Sequence, residues 1–398
     1  MAFSYIVMKL GGRKAAPLVF IGCMGHLMLS LLYHRTYFWG DYTLNVNGPL
    51  MVLTQKMTQL AFAVADGAEK DQSKLSPYLR THALPKMPSL LEYFGHTFFF
   101  PSVMVGPNHH FAIYRDLIEG TGPHEKPASG LLVGLKKLGT AAFWHAWTLL
   151  PAVVFGITDS ITPHRLTAGP EFEGKPNPVA EYGLVKMFAY NIMAMQIYRC
   201  GFYFAWCLAE GACNVSGLGY NGVDKDGKER WDLVTNVKPL GVEFATNFKE
   251  VLDAWNMQSG AWLRYACYER LLPHPLATYA TMLLSAMWHG PYLGYFMSFM
   301  MAGLATEGNR KVRRNIRPHF MPEGSAQHKF YCVAGWAVNV IVLNYLVGPF
   351  VVLTVDGSMK FWGQFYWFVH IGYILITVLL PGKKPTPKKV EGEAKKEL

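Results

Sequence analysis

Charged residues are scarce in this sequence. Asp, Glu, Lys and Arg make up 16% of the 398 residues, whereas 51% are hydrophobic and 14% are aromatic. Soluble globular proteins carry about 25% charged residues, so the composition excludes an ordinary soluble enzyme and is typical of a membrane protein. No polar segment of the sequence is long enough to form a soluble core of its own. We therefore predict one membrane domain at residues 1–382.

Cysteines are few, and no two of them form a CxxC pair. Most of them lie within or beside apolar runs, which favours buried free thiols over disulfides. No set of His, Cys and carboxylate residues has the spacing of a metal site, so we expect no metal and no other cofactor. The six cysteines are Cys23, Cys200, Cys207, Cys213, Cys267 and Cys332.

The sequence also lacks a nucleophile elbow, which argues against a covalent enzyme intermediate. Aromatic residues lie inside apolar runs rather than among the basic residues, which argues against nucleic-acid binding. The surplus of ten positive charges lies largely in residues 310–317 and in a Lys-rich tail at residues 383–398. By the positive-inside rule both segments are expected in the cytosol, and the tail is expected to be disordered.

Long apolar runs are abundant. A membrane-spanning helix needs about 20 predominantly apolar residues. Two less regular runs, residues 50–64 and 90–105, contain polar or charged side chains and are expected to be internal or re-entrant. The whole pattern predicts an all-α, polytopic membrane protein with roughly eight to nine membrane-embedded helices. The candidate spans are residues 15–33, 138–157, 184–208, 276–305, 330–355 and 361–381.

The run at residues 276–305 contains no Asp, Glu, Lys or Arg but has a histidine, His289, near its centre. Polar groups at membrane depth face a cavity or another protein group, because lipid offers no hydrogen bonds. His289 is therefore expected to point inward. Pro291 should kink this helix, and Gly290 and Gly294 leave room for another backbone or a flexible chain. Together these features indicate a pocket at His289.

A second polar feature, Asn256, lies 33 residues before His289. Helical spacing predicts that Asn256, Gly260 and Leu263 share one helix face. The segment Pro273-His274-Pro275 should end this element and turn the chain into the helix that carries His289. We therefore expect Asn256 and His289 to meet across a helical hairpin.

A neutral imidazole beside a neutral amide suits one chemical task. The imidazole can take a proton from a hydroxyl while that hydroxyl attacks an activated acyl group. The amide can orient the imidazole or donate to the developing oxyanion. From the residues alone, a hydrogen-bonded structural histidine is the alternative for His289.

Several motifs resemble those of a known family. Trp288-His289-Gly290, followed by Gly294, Tyr295 and Phe299, reproduces the spacing WHGxxxGYxxxF. This spacing resembles the signature of the lysophospholipid branch of the membrane-bound O-acyltransferase (MBOAT) family. The similarity extends over residues 41–381, and three further segments resemble motifs of that branch: Trp231-Asp232; Trp255-Asn256 with Trp262-Leu263; and Trp362, Tyr366 and Trp367 with His370.

The resemblance implies a reaction and its residues. It implies that His289 is the catalytic base and Asn256 its essential companion, with acyl-CoA as the donor. The implied acceptor is a lysophospholipid, namely lysophosphatidylethanolamine, lysophosphatidylserine or lysophosphatidylcholine. A thioester is already activated, so no metal or redox cofactor is required. Four aromatic residues are candidates for lining a substrate channel, with packing as the alternative: Trp255, Trp288, Tyr295 and Phe299.

The ends of the chain carry two further expectations. Lys395-Lys396-Glu397-Leu398 resembles a cytosolic dilysine retrieval signal, which predicts an endoplasmic reticulum membrane protein with a cytosolic C-terminus; a solvated tail is the alternative. Members of the family usually begin with more membrane helices than this chain has room for before Asp41, so the N-terminus departs from the family pattern.

Two other functions stay open at this point. The chain could acylate a protein or peptide, as other members of the family do. It could also be a non-catalytic transport or lipid-binding protein, in which His289 gates or binds. Neither the headgroup and acyl-chain preference nor the oligomeric state follows from the residues.

Overall fold

The computed structural model of the protein describes residues 1–38, 45–125, 129–155, 166–167 and 182–382. Within these ranges the chain is helical, and its β structure is limited to one isolated bridge between Val223 and Glu229. The predicted all-α class is confirmed. The predicted basic tail, residues 383–398, lies outside the described residues.

The α-helices of the described residues are named in chain order. Short 3-10 helices at Gly12–Lys14, Gln72–Lys74, Gly122–Glu125 and Arg317–Phe320, and a π-helix at Arg264–Tyr268, connect some of them. The α-helices are α1 (Ala2–Gly11), α2 (Ala15–Tyr37), α3 (Asn47–Gly67), α4 (Pro77–Thr81), α5 (Leu90–Thr97), α6 (Phe100–Val103), α7 (Phe111–Glu119), α8 (Leu131–Phe155), α9 (Leu184–Val215), α10 (Pro239–Glu243), α11 (Phe248–Ala254), α12 (Met257–Leu263), α13 (Glu269–Leu271), α14 (Ala277–His289), α15 (Leu293–Asn315), α16 (Ala326–Leu346), α17 (Gly348–Val352), α18 (Val355–Gln364) and α19 (Phe368–Leu379).

Few of these helices are both long and apolar enough to cross a membrane. In the described part of the chain two segments meet both conditions, Ala15–Tyr37 and Ala326–Val352. A third span is possible if α18 and α19, which meet at an angle of 81°, form one broken crossing. The count of eight to nine membrane-embedded helices therefore stays a prediction.

The predicted single span at residues 276–305 is wrong, because the chain reverses direction beside His289. The helix α14 ends at His289, and α15 begins at Leu293 and packs back along α14. Gly290 has φ 126° and ψ 178°, a conformation that residues with a Cβ rarely adopt, so the break is sharper than the predicted proline kink. The two helices form an antiparallel hairpin, and Arg310 donates a hydrogen bond to Thr278 near its open end at 3.0 Å.

The helix α3 runs through the interior, as expected for the less regular run at residues 50–64. Five successive or near-successive polar side chains of this helix are at most 2% exposed. Buried polar groups need partners, and Gln55 finds one on α12, where its amide donates to the Ser259 hydroxyl at 2.8 Å. The five polar residues are Thr54, Gln55, Lys56, Thr58 and Gln59. Thus α3 is a buried helix, and α12 and the π-helix at Arg264–Tyr268 pack against it.

Candidate active site

His289 lies at the turn of the α14–α15 hairpin. Because α15 doubles back, it brings two residues of the predicted motif against the imidazole: Phe299 stacks on it with ring centroids 5.3 Å apart, and Tyr295 lies at 5.4 Å. Phe350, on α17, meets the imidazole edge-on at 4.9 Å. Phe350 is 61 positions beyond His289, and no motif in the sequence indicated it.

The imidazole of His289 has no hydrogen-bond partner among the described residues. The side chain of His289 lies deep within the protein but keeps part of its surface accessible. A structural histidine in a membrane protein would pair its ring nitrogens with protein groups. An enclosed but unpartnered imidazole is instead free to interact with a bound molecule, which is what a general base requires.

Trp288 connects the hairpin to the interior. Its side chain is 6% exposed, and its indole N–H donates to the carbonyl oxygen of Met51 at 3.0 Å. Its ring lies 5.9 Å from that of Trp262 on α12. Trp288 therefore fastens α14 to both α3 and α12, and its polar atom is already used in that packing.

Asn256 lies before α12 rather than within it. Its backbone is left-handed, with φ 43° and ψ 50°, and the helix begins at Met257. The prediction that Asn256, Gly260 and Leu263 share one helix face is therefore wrong, because the left-handed residue breaks the helical rotation. Asn tolerates this conformation better than most residues with a side chain. Its partly exposed carboxamide has no hydrogen-bond partner in the described structure.

Another asparagine, Asn236, caps α12. Its backbone carbonyl accepts the N–H of Met257 at 2.7 Å, and its side-chain oxygen accepts the N–H of Gln258 at 3.2 Å. The first N–H groups of a helix need such partners. Because Asn236 supplies them, the carboxamide of Asn256 is not used for capping. Sequence analysis missed Asn236, although it lies only four positions after the Trp231-Asp232 motif.

The Trp231-Asp232 motif itself lies on a surface loop. Asp232 accepts hydrogen bonds from the amide of Asn221 at 2.7 Å and from Arg230. Partial burial raises the pKa of Asp232, but these hydrogen bonds outweigh it and hold the pKa below its ordinary value. These contacts stabilise the loop at Asp232. The chain after it is buried at Thr235 and Asn236, where it reaches the start of α12.

The elements that carry Asn256 and His289 pack against each other. The chain turns between α13 and α14, across the predicted Pro273-His274-Pro275 segment, and the π-helix that follows α12 packs on α14. Trp255 points elsewhere, since its ring lies 4.9 Å from that of Trp206 on α9. Of the four aromatic candidates, Tyr295, Phe299 and Trp288 contact His289, the Trp288 ring edge-on at 4.7 Å, whereas Trp255 packs toward α9.

The motif near the C-terminus forms a separate cluster. The hydroxyl of Tyr345 on α16 lies 2.7 Å from Nδ1 of His370, and the ring of Trp362 lies 4.4 Å from the same imidazole. The indole N–H of Trp362 donates to the carbonyl oxygen of Tyr345 at 3.2 Å. These contacts join α16, α18 and α19, so His370 has a hydrogen-bond partner, whereas His289 has none in the part of the chain that the structure describes.

Over the described ranges, no group of three or more His, Cys, Asp or Glu residues is arranged to hold a metal ion. All six cysteines are free, and four of them are buried, as the sequence predicted.

Comparison with known proteins places the motifs in a family. The sequence model of the membrane-bound O-acyltransferase family matches residues 31–352. Membrane-bound glycerophospholipid O-acyltransferase 2 of Rattus norvegicus is 33% identical over 97% of this chain and 74% of its own length. Lysophospholipid acyltransferase 6 of Drosophila melanogaster is 34% identical over 98% of this chain, which spans 54% of that protein.

A third relative comes from a fungus. The lysophospholipid acyltransferase of Schizosaccharomyces pombe is 33% identical over 94% of this chain and 74% of its own length. The match to the family model covers His289, Asn256 and their aromatic neighbours. The chain therefore belongs to the membrane-bound O-acyltransferase family.

Proposed function

We propose that this protein is an acyl-CoA-dependent lysophospholipid O-acyltransferase that transfers a fatty acyl chain to the free glycerol hydroxyl of a lysophospholipid. The observation that carries the proposal is the enclosed, unpartnered imidazole of His289 at the hairpin turn. The relatives named above as glycerophospholipid or lysophospholipid acyltransferases support the same activity.

In the proposed reaction His289 takes the proton of the acceptor hydroxyl as its oxygen attacks the thioester carbonyl. The carboxamide of Asn256 donates to the oxyanion of the tetrahedral intermediate, for which an unused N–H donor is required. Collapse of the intermediate breaks the carbon–sulfur bond, and the imidazolium returns the proton to the CoA thiolate. The products are the diacyl phospholipid and free CoA.

The aromatic side chains around His289 also shape the site for an acyl chain and exclude water from it. Tyr295, Phe299 and Phe350 form an aromatic wall against the imidazole, and the rings of Tyr295 and Phe350 lie 4.7 Å apart. Such a wall suits an acyl chain and keeps water, the competing acceptor, from the thioester. Trp255 and Trp288 support the elements that carry Asn256 and His289, and we assign them packing before substrate contact.

The charge distribution suggests how the protein lies in the membrane. The basic end of α15, residues 310–317, belongs on the cytosolic side by the positive-inside rule. We assign the protein to the endoplasmic reticulum membrane with a cytosolic C-terminus, one membrane domain at residues 1–382 and eight to nine embedded helices. Acyl-CoA then arrives from the cytosol and the lysophospholipid, of the ethanolamine, serine or choline type, from the bilayer.

The experiment is an activity matrix of acyl-CoAs against lysophospholipids on the full chain in microsomes. His289→Ala should lower turnover by about a hundredfold or more, since general bases contribute roughly 10²–10⁴. His319→Ala is the matched control, because His319 is exposed on the short 3-10 helix after α15. Undiminished turnover in a folded His289→Ala protein contradicts the proposal.

The same preparation tests the two rival functions. A protein or peptide acyltransferase would release CoA only when a polypeptide acceptor is added and would leave lysophospholipids unchanged. A transport or lipid-binding protein would release no CoA with any acceptor.

A further inference from the structure

Two cavities adjoin each other at the basic end of α15. One, of about 370 Å³, lies between α15, α16 and α19 and is mainly apolar. The other, of about 940 Å³, lies beside the basic segment of α15 and next to α11. They share five lining residues: Thr246, Asn247, Asn309, Val312 and Tyr331. Together they form an apolar groove that opens into a charged chamber.

The chamber has two guanidinium groups without a counter-ion. Arg313 and Arg314 line it and are exposed, and neither has an ion pair or side-chain hydrogen bond among the described residues. The three other Lys and Arg side chains of the chamber are paired, Arg317 with Glu323, Lys249 with Asp253 and Arg310 with Glu307.

The remaining carboxylate of the chamber is also engaged. Glu250 accepts the backbone N–H of Thr246 at 2.7 Å and the amide of Asn247 at 2.8 Å. Every acidic side chain that lines the chamber thus has a partner, and the charge left over is positive. The chamber is complementary to an anionic group.

The groove has the dimensions and surface of an acyl-chain site. It extends along α16 from Tyr331 to Val342, eleven residues or about 16 Å of helix. Val338, on its wall, is 60% exposed, so the groove is open to the side that faces lipid. Gly372 of α19 also lines it, and a Cβ at that position would meet nothing within 4 Å. A chain can therefore enter laterally from the bilayer.

We propose that the groove and chamber together bind one phospholipid with an anionic headgroup, its acyl chain between α16 and α19 and its phosphate at Arg313 and Arg314. A zwitterionic headgroup has no net charge, so the surplus positive charge of Arg313 and Arg314 attracts it less strongly than it attracts an anionic headgroup. Arg313 lies twenty residues after Leu293, which places it about 30 Å along α15 from the turn that holds His289. The lipid at this site is therefore a bound companion and not the acceptor at His289.

The first test is native mass spectrometry of the purified full chain with phosphatidylserine or phosphatidylcholine added. We expect one phosphatidylserine to be retained at least tenfold more strongly than phosphatidylcholine. The double variant Arg313→Gln/Arg314→Gln should lose this preference. Lys225→Gln/Lys228→Gln removes the same charge from an exposed loop and should keep it.

The second test fills the groove and leaves the arginines in place. Gly372→Leu should weaken retention of phosphatidylserine as strongly as the arginine variant does. Its control is Gly201→Leu on α9, where a Cβ likewise meets nothing within 4 Å and the residue is exposed. If the arginine variant does not fold, Gly372→Leu and Gly201→Leu still test whether the groove binds the lipid.

Three results would overturn the proposal: equal retention of the two lipids, unchanged retention in both the arginine and the Gly372→Leu variants, or displacement of phosphatidylserine by one equivalent of palmitoyl-CoA. The last result would make the chamber a CoA site. His289→Ala should retain the lipid like the unmodified protein. The lipid site and the proposed acyl transfer can therefore fail separately.

Discussion

The backbone N–H of Met257 donates a hydrogen bond to the carbonyl oxygen of Asn236 at 2.7 Å. This contact joins a buried loop to the first residue of α12, immediately after Asn256. It is reinforced by the side-chain amide of Gln258, which donates to the carbonyl oxygen of Thr235 at 3.2 Å. The position of Asn256 is thus determined by a segment some twenty residues earlier in the chain.

Asn236→Ala should lower acyl transfer by about tenfold and the stability of the protein by about 1 kcal/mol, the usual cost of a lost helix cap. The side-chain acceptor for Gln258 disappears, so the turn at Asn256 loosens. Asn236→Asp keeps that acceptor and should restore most of the activity. Turnover and thermal unfolding of the two variants measure the effect; equal losses in both would argue against a capping role.

Asn256→Gly separates the carboxamide from the backbone conformation. Glycine accepts φ 43° without strain, so the fold should be kept, whereas turnover should fall by about a hundredfold or more, as when a single oxyanion donor is removed. Asn256→Ala should lower both the stability and the turnover, because alanine is strained in this left-handed conformation and has no carboxamide. Thermal unfolding and single-turnover rates distinguish the two effects. Near-normal rates in Asn256→Gly would mean that the carboxamide is not used.

Gly290→Ala should destabilise the hairpin turn. The φ of 126° and ψ of 178° exclude side chains, and strain at such a position costs about 1–3 kcal/mol. A Cβ there would also lie 3.3 Å from a methyl group of Leu31. Gly25→Ala on α2 is the control, since a Cβ there meets nothing within 4 Å, and it should be neutral or slightly stabilising. Thermal unfolding should show the difference, and equal midpoints would contradict it.

Arg199→Met should be among the most destabilising single changes in the described structure. Arg199 is 4% exposed and makes two hydrogen bonds to Glu243, at 3.0 and 2.9 Å. Its removal leaves a mostly buried carboxylate without its cation, which costs about 3–5 kcal/mol.

The double variant Arg199→Met/Glu243→Leu removes both charges and should recover much of that loss. Thermal unfolding of the single and double variants in the same detergent gives the comparison. A double variant no more stable than Arg199→Met would show that the unpaired carboxylate of Glu243 is not the cause of the loss, which contradicts the prediction.

Much of the site could be predicted because its residues are close in sequence. His289, Tyr295 and Phe299 lie within eleven positions, and the spacing WHGxxxGYxxxF identified all three. Phe350 and Asn236 could not be found in this way, because each reaches the site from another part of the chain. Their contacts depend on how α17 and the loop before α10 pack, which local periodicity does not report.

The amino-acid sequence by itself determined the helical class, the membrane composition and the family, and it indicated His289 as the candidate base, because these follow from composition and from local motif spacing. Only the tertiary structure decided that residues 276–305 form a hairpin and that Asn256 lies just before α12 in a left-handed conformation. An apolar run is compatible with one long helix or with two short ones. The choice between them depends on the backbone angles of Gly290 and on the packing of α15 against α14, which involves residues distant in the chain.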